Sequence, residues 1–73
     1  MEKDLDIKLV MLGQRIRDIR LQKGMTQAEV AERSGVASNY IAMLERGERN
    51  PTYLTLLKIA EGCGVNICEF FKD

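Results

Sequence analysis

The sequence contains no histidine and only two cysteines, Cys63 and Cys68. A structural zinc site needs four nitrogen or sulfur ligands, so these two thiols predict no metal site. We expect Cys63 to be a buried small hydrophobe and Cys68 to be a helix-surface or partly buried thiol. No paired carboxylates and no nucleophile with a neighbouring base can be placed in a cleft, so neither an enzyme nor a cofactor is expected.

Long apolar runs, low-complexity segments and linkers are also missing. A membrane-spanning helix needs roughly 20 apolar residues, and the acidic start Met-Glu-Lys-Asp-Leu-Asp is unlike a signal peptide. We therefore expect a cytoplasmic protein with no membrane partner, formed by one domain over residues 1–73. A chain of 73 residues buries a modest fraction of its surface, so stabilisation by a partner subunit is expected.

The sequence has no excess of either charge, with 11 basic and 11 acidic residues. This balance counts against nucleic-acid binding, for which a basic surface is the usual sign. The charges are unevenly distributed, however, because residues 13–27 hold four basic side chains and one acidic side chain. The segments 1–12, 28–50 and 51–73 each carry one net negative charge. A local basic face can orient a protein on phosphate without strong non-specific affinity.

Strand-like alternation of apolar and polar residues is absent, whereas helical periodicity is clear. A first helix is predicted over about Asp6–Lys23, with Asp4 or Asp6 as its N-cap, although Gly13 interrupts the pattern. Its apolar face consists of Leu9, Leu12, Ile16 and Ile19.

A second helix has a sharper start, because Thr26 and Glu29 fit the reciprocal capping box. It should begin at Gln27 and end at Gly35, which can adopt positive φ. Only the residues Gly35-Val36-Ala37 then connect it to the next helix, so the chain must turn abruptly.

A third helix is predicted over Ser38–Arg46, with Gly47 ending it and with Ile41 and Leu44 facing inward. If Ala37 is its N-cap, the missing side-chain acceptor costs about 1 kcal/mol relative to serine or threonine. Ser38 is the alternative cap.

Two further helices are predicted after the break at Asn50-Pro51-Thr52, the second of them over about Ile67–Phe71. The first of these has an inward face of Leu56, Ile59, Ala60 and Cys63. We predict an all-α fold with five helices. The short turn between the second and third helices matches a helix-turn-helix, although periodicity alone does not separate it from other small helical bundles.

Motifs spread over about residues 12–71 make the chain closely similar to the Cro/C1-type (Xre-like) helix-turn-helix family of bacterial and phage transcription regulators. The resemblance implies a lambda-repressor-like DNA-binding domain, with its motif at about 26–46 and with packing and dimerisation helices at 52–72. The residues that carry it are Arg15-Ile-Arg-Asp-Ile-Arg20, Gly24-Met-Thr-Gln-Ala-Glu-Val-Ala31, Ser34-Gly35-Val36, Tyr40-Ile41, Leu44-Glu-Arg-Gly47, Asn50-Pro51, Leu56-Leu-Lys-Ile-Ala60 and Gly64-Val65.

The resemblance places the base-reading positions on the third helix. Asn39 is the leading candidate, since asparagine can bond adenine with two hydrogen bonds. For Met43, apolar contact with DNA and partial burial are both open. The implied base-reading residues are Ser38, Asn39, Ala42 and Met43.

The resemblance also implies phosphate contacts, with Gln27 as the anchor at the start of the second helix. Thr26 beside it is more readily explained as a cap, and Glu48 moderates the local positive charge. The implied phosphate-binding residues are Thr26, Gln27, Tyr40, Arg46, Arg49 and Asn50.

Two further features are expected, an ion pair that the resemblance implies and a dimer surface that the apolar residues suggest. Arg20 and Glu45 should form an ion pair between the first and third helices, and Arg20 could also reach a phosphate. Apolar residues near the C-terminus exceed what one small core needs and form either a dimer interface or part of the core, with the roles of the two phenylalanines open. The expected interface residues are Leu54, Leu57, Ile67, Phe70 and Phe71.

The expected function is that of a homodimeric transcription regulator that binds a palindromic double-stranded DNA operator. RNA polymerase is a further candidate partner. The ending Ile67-Cys-Glu-Phe-Phe71 is similar to that of restriction-modification controller proteins, while a compact phage repressor and an antitoxin-like regulator are equally allowed. The alternative function is a helix-turn-helix module that binds another protein and has weak or no affinity for DNA.

Overall fold

A computed structural model describes residues 6–72, and these residues form an all-helical fold with no strand. Four α-helices follow one another: α1 (Ile7–Gln22), α2 (Gln27–Ser34), α3 (Ser38–Glu45) and α4 (Tyr53–Cys63). The predicted all-α class is confirmed. The predicted last helix is present over Ile67–Phe71 as a 3₁₀ helix, a conformation typical of such short terminal segments, so four of the five predicted helices are α-helices.

Side-chain caps begin most of the helices. Asp6 caps α1 by accepting from the Lys8 N–H at 2.8 Å, and the predicted alternative Asp4 lies outside the described residues. Thr26 and Glu29 form the predicted capping box of α2, with both of its hydrogen bonds present. Ala37 is the N-cap of α3 and makes no side-chain hydrogen bond, so Ser38 is the first helical residue instead.

Left-handed glycines end α2 and α3. Gly35 has φ of 74° at the end of α2, and its N–H donates to the Glu32 carbonyl. Gly47 has φ of 77°, and a Cβ there would also approach the Cα of Val10 to 2.9 Å. Only glycine meets both demands at position 47, since L-residues avoid positive φ.

The core lies where α2 packs between α3 and α4, while α1 packs against α3 and the 3₁₀ helix. Its largest fully buried side chains are Ile16, Val30, Ile41, Leu44 and Ile59. Cys63 is buried, whereas Cys68 is an exposed thiol. Among residues 6–72, no helix combines the length and apolar character needed to cross a membrane.

The backbones of α1 and α3 touch at Gly13. A Cβ at this position would collide with the Leu44 carbonyl oxygen and would lie 2.8 Å from that of Glu45. The helix continues through Gly13, so the apparent weakness in its sequence is a packing requirement. This contact sets how closely α3 lies on α1.

Candidate nucleic-acid interface

The outward edge of α3, formed by Ser38, Asn39, Ala42 and Met43, is free of internal polar contacts. Ser38 and Asn39 are exposed in the first turn, while Ala42 and Met43 are half-buried one turn later. The side chains of Ser38 and Asn39 make no hydrogen bond within residues 6–72. Their donors and acceptors are therefore available to a partner.

Tyr40 lies on the side of α3 that packs against the core. Its side chain is partly buried and packs against the hydrophobic core. The ring thus helps to hold α3 against the core.

A buried ion pair fixes α3 to α1. The Arg20 guanidinium donates from Nε to Glu45 Oε2 at 2.6 Å and from Nη2 to Glu45 Oε1 at 2.9 Å. Arg20 Nη1 also donates to the carbonyl of Met25 at 2.9 Å. Both ion-pair partners are 8% exposed, so the pair lies where solvent screens it little.

The local electrostatics follow from this pairing. The hydrogen bonds that Arg20 donates to Glu45 are the main cause that raises the pKa of Arg20, and burial opposes them. Burial, with the Glu45 carboxylate as a second cause, raises the pKa of the nearby Cys63 thiol. The thiol therefore stays protonated beside the charged pair.

Gln27 extends this network to the start of α2. Its amide Nε2 donates to Glu45 Oε1 at 3.0 Å, so one amide hydrogen is already used. The other amide hydrogen and the backbone N–H groups of Gln27 and Ala28 make no hydrogen bond among residues 6–72, so these donors point out of the start of α2 unpaired. At Thr26, the backbone N–H bonds Glu29 and the hydroxyl oxygen accepts from the Glu29 N–H, so the cap occupies most of its polar groups.

Arg46 follows α3 and is paired with an acid. Its Nε donates to Glu48 Oε2 at 2.9 Å and its Nη2 to Glu48 Oε1 at 3.0 Å. The next residues, Arg49 and Asn50, are exposed, and their side chains form no hydrogen bond or salt bridge among residues 6–72. The Arg46 guanidinium is therefore engaged by an acid, whereas the Arg49 guanidinium has no such partner in the described part of the chain.

The expected interface residues fall into two groups. Phe70 is 2% exposed and belongs to the core, which corrects its assignment to a dimer surface, because the core of its own chain already surrounds the ring. Phe71 is 61% exposed and Leu54 is 68% exposed. Leu57 and Ile67 are half-buried, and Ile67 packs against the core.

Four contributions were not predicted from the sequence. Gln27 bonds Glu45, and the Met25 carbonyl accepts from Arg20. Both contacts depend on the way the helices cross, which the periodicity of the sequence does not predict. Arg15 donates to the Glu69 carbonyl at 2.8 Å and ties α1 to the 3₁₀ helix. Tyr53, 65% exposed beside Leu54, adds to the apolar surface at the start of α4.

Comparison with known proteins identifies the family. The profile of the helix-turn-helix family matches residues 16–70, which is most of the chain. The chain belongs to the helix-turn-helix family of transcriptional regulators. The predicted family is therefore confirmed, and membership in a family of regulators agrees with the prediction that the chain is not an enzyme.

Relatives extend the match beyond the motif. An uncharacterized HTH-type transcriptional regulator, y4dJ of Sinorhizobium fredii, is 44% identical over 59 residues, covering 81% of this chain and 77% of the relative. The cryptic phage CTXphi transcriptional repressor RstR of Vibrio cholerae is 36% identical over 63 residues, covering 86% of this chain and 57% of the relative.

A solved structure shares the whole helix-turn-helix fold. The restriction-modification controller protein C.AhdI from Aeromonas hydrophila superposes with a TM-score of 0.88 at 36% identity, covering 90% of this chain and 100% of that one. The predicted resemblance to controller proteins therefore extends to the fold.

Proposed function

We propose that this chain is a homodimeric transcription regulator that binds a two-fold symmetric DNA operator, with α3 of each copy in the major groove of one half-site. The observation that carries this proposal is the outward edge of α3, free of hydrogen bonds and held from behind by the buried Arg20–Glu45 pair. A single module of this size buries little DNA, so two copies about one helical turn apart are needed.

Base reading is assigned to the outward edge of α3. We assign Asn39 two hydrogen bonds to adenine, Ser38 a hydrogen bond that suits several bases, and Ala42 a methyl contact to thymine. Met43 is half-buried, so it contributes an apolar contact from the part of its side chain that is exposed. These short side chains favour readout through a few contacts repeated by symmetry.

Phosphate binding is assigned to both ends of this edge. We assign Gln27 and Thr26 to phosphate at the start of α2, the Tyr40 hydroxyl to phosphate from α3, and Arg46, Arg49 and Asn50 to phosphate beyond α3. Phosphate contacts fix register and provide the salt-dependent part of affinity without reading sequence. Arg20 is 8% exposed and uses three of its five N–H donors on Glu45 and Met25, so we assign it a positioning role rather than a phosphate contact.

The names of related proteins support action on transcription. RstR is named a transcriptional repressor and C.AhdI a restriction-modification controller protein. We propose that this chain acts on promoters in the cytoplasm, with RNA polymerase as the protein that it excludes or contacts there. Transcription in vitro with purified polymerase, with and without the protein, measures the sign of the effect.

Selection of bound sequences from a random duplex pool tests the proposed function. The expected result is an enriched consensus with two-fold symmetry, which demonstrates both base reading and dimeric binding. Recovery of unenriched sequences after several rounds refutes sequence-specific binding. An asymmetric consensus of half the length refutes dimeric binding but leaves sequence-specific binding intact.

A second candidate is a protein-interaction or antitoxin-like module with weak DNA affinity. Two observations favour it: the net charge is zero, and Glu48 engages Arg46 at the expected phosphate surface. A salt titration with random duplex separates the candidates, because phosphate contacts make affinity fall steeply as salt rises. No binding at low salt supports the protein-interaction module.

A further inference from the structure

The ion pair between Arg46 and Glu48 presents the geometry with which an arginine binds a phosphate. Both carboxylate oxygens face the Nε and Nη2 donors, at 2.9 and 3.0 Å. The guanidinium edge is a flat fork that fits a carboxylate or a phosphate equally well. Glu48 therefore occupies the edge that Arg46 would offer to the DNA backbone.

The backbone holds both residues in place for this pairing. Arg46 is the C-cap of α3, and the Gly47 N–H donates to the Leu44 carbonyl at 3.0 Å. The Glu48 N–H reaches back to the Met43 carbonyl at 2.9 Å. These two bonds form a Schellman motif, which fixes the chain direction at residue 48. The carboxylate is thus directed back to Arg46 by the same turn that ends the helix.

The pair remains solvent-accessible and charged. The side chains of Arg46 and Glu48 are 56% and 43% exposed. The hydrogen bond from Arg46, helped by the charge of Arg49, lowers the pKa of Glu48. A phosphate can therefore reach Arg46, but it meets a fixed negative charge there.

We propose that the Glu48 carboxylate takes the place of a DNA phosphate on Arg46 in the free protein. It thereby lowers the affinity of the protein for DNA, whatever the DNA sequence. A phosphate on the Nε edge displaces the carboxylate, whereas one on the Nη1 side lies close to it. In both arrangements a like charge opposes binding. This inference rests on the proposed function and adds a residue that limits its affinity.

The effect should be modest and independent of sequence. An exposed ion pair is weak, so its exchange for phosphate changes affinity by roughly two- to fivefold. Phosphate contacts do not discriminate between bases, so operator and random duplex should gain by the same factor. The gain should shrink as salt rises, since it depends on exposed charges.

Glu48→Gln tests the proposal, with Glu32→Gln as the matched control. Both changes remove one exposed negative charge, but Glu32 lies on the outer face of α2 and its side chain forms no hydrogen bond or salt bridge among residues 6–72. Dissociation constants are measured for the selected consensus and for random duplex at several salt concentrations. Far-UV circular dichroism and sedimentation velocity check that each variant is folded and has the same oligomeric state.

Glu48→Gln is expected to tighten binding to both duplexes about two- to fivefold at low salt, beyond any change in the control. The gain should disappear when Arg46→Gln is already present, because the carboxylate acts through that arginine. A gain equal to that of Glu32→Gln, one that persists without Arg46, or weaker binding by Glu48→Gln overturns the proposal. If the wild-type protein and every variant bind neither duplex, the proposed function itself fails.

Discussion

Asn39 and Arg49 are exposed side chains with different expected roles in DNA binding. Asn39 offers an amide that can recognise one base, whereas Arg49 offers a charge to any phosphate. Ser38 likewise offers hydrogen bonds to a base and Arg46 a charge to phosphate, but Arg46 already has Glu48 as a partner. Affinity and specificity should therefore respond to different residues.

Substituting Asn39 and Arg49 separates these two contributions. Asn39→Ala should relax the preference at one base pair of each half-site, losing about 1–3 kcal/mol of discrimination. Arg49→Ala should weaken all sequences alike and should reduce the salt slope by about one. Competition binding against single-base operator variants measures both. Sequence-independent losses from both substitutions would contradict the role of Asn39.

Arg20 offers a second test at the residue scale. Arg20→Ala leaves the Glu45 carboxylate buried with Gln27 as its remaining side-chain partner, so the free energy of unfolding should fall by about 3 kcal/mol. Arg20→Met with Glu45→Leu should cost less than Arg20→Ala alone, because it leaves no buried charge unpaired. Urea denaturation measures these values, with Arg17→Ala, at an exposed position of the same helix, as control.

A loss from Arg20→Ala no larger than that from Arg17→Ala would show that solvent reaches the pair. A double variant less stable than the single variant would show that the pair contributes more than its desolvation costs. The first outcome would contradict the positioning role given to Arg20, and the second would contradict the expected cost of burying the pair.

At the scale of elements, the helix boundaries follow from local chemistry. The cap at Thr26 and the glycines at 35 and 47 give α2 and α3 their limits to within one residue of prediction. The 3₁₀ geometry of Ile67–Phe71 was not predictable, because apolar spacing in so short a segment fits either helix type. Local signals are therefore sufficient for the helices and insufficient for the final turn.

Long-range contacts explain what else the sequence did not reveal. The period of α3 predicts a face away from the core that consists of Ser38, Asn39, Ala42, Met43 and Arg46. Ser38, Asn39 and Arg46 are exposed as predicted, whereas Ala42 and Met43 are half-buried. The period does not predict that Gln27 turns to Glu45, since this bond joins residues from different helices. Nor does it assign Phe70 rather than Phe71 to the core, because both follow a turn of undetermined geometry.

Gly13 supplies a test of the contact between α1 and α3. Alanine is the better helix former by about 1 kcal/mol, so a solvent-exposed Gly13→Ala would stabilise the protein. Here the added Cβ meets the backbone of α3, and the net result should be a loss of about 1–3 kcal/mol. Thermal unfolding measures the change, with Gln14→Ala at the next, exposed position as control.

The displaced α3 of Gly13→Ala should also bind DNA more weakly at a temperature where the variant is still folded. Increased stability of Gly13→Ala would show that α1 and α3 can move apart without a loss of folding free energy. Unchanged DNA affinity would show that the position of α3 tolerates such a shift.

At the scale of the whole molecule, exposed apolar residues support assembly. Leu54 and Tyr53 lie at the start of α4, and Phe71 lies at the end of the 3₁₀ helix. A chain this small buries little of its own surface, so pairing would shield these side chains and increase stability. With Phe70 in the core, the proposed interface consists of Leu54, Leu57, Ile67 and Phe71.

Leu54→Asp and Phe71→Asp should each shift the protein from dimer to monomer without unfolding it, because both side chains are exposed within one copy. Operator affinity should fall at least tenfold, since one half-site complex loses the second set of contacts. Sedimentation velocity and operator titration measure the two effects. Leu21→Asp, at a 52% exposed position on α1, is the control. Unchanged assembly in both variants would place the interface elsewhere.

The separation of the two sides of α3 has an evolutionary consequence. Its inner side carries the hydrophobic anchors and Glu45, whereas Ser38 and Asn39 form no internal hydrogen bond in the described part of the chain. Substitutions on the outer side should therefore cost little folding free energy. A duplicated gene could acquire a new operator by changing a few codons, while the inherited scaffold stays intact. Descendants of such a duplication would diverge in target before they diverge in shape.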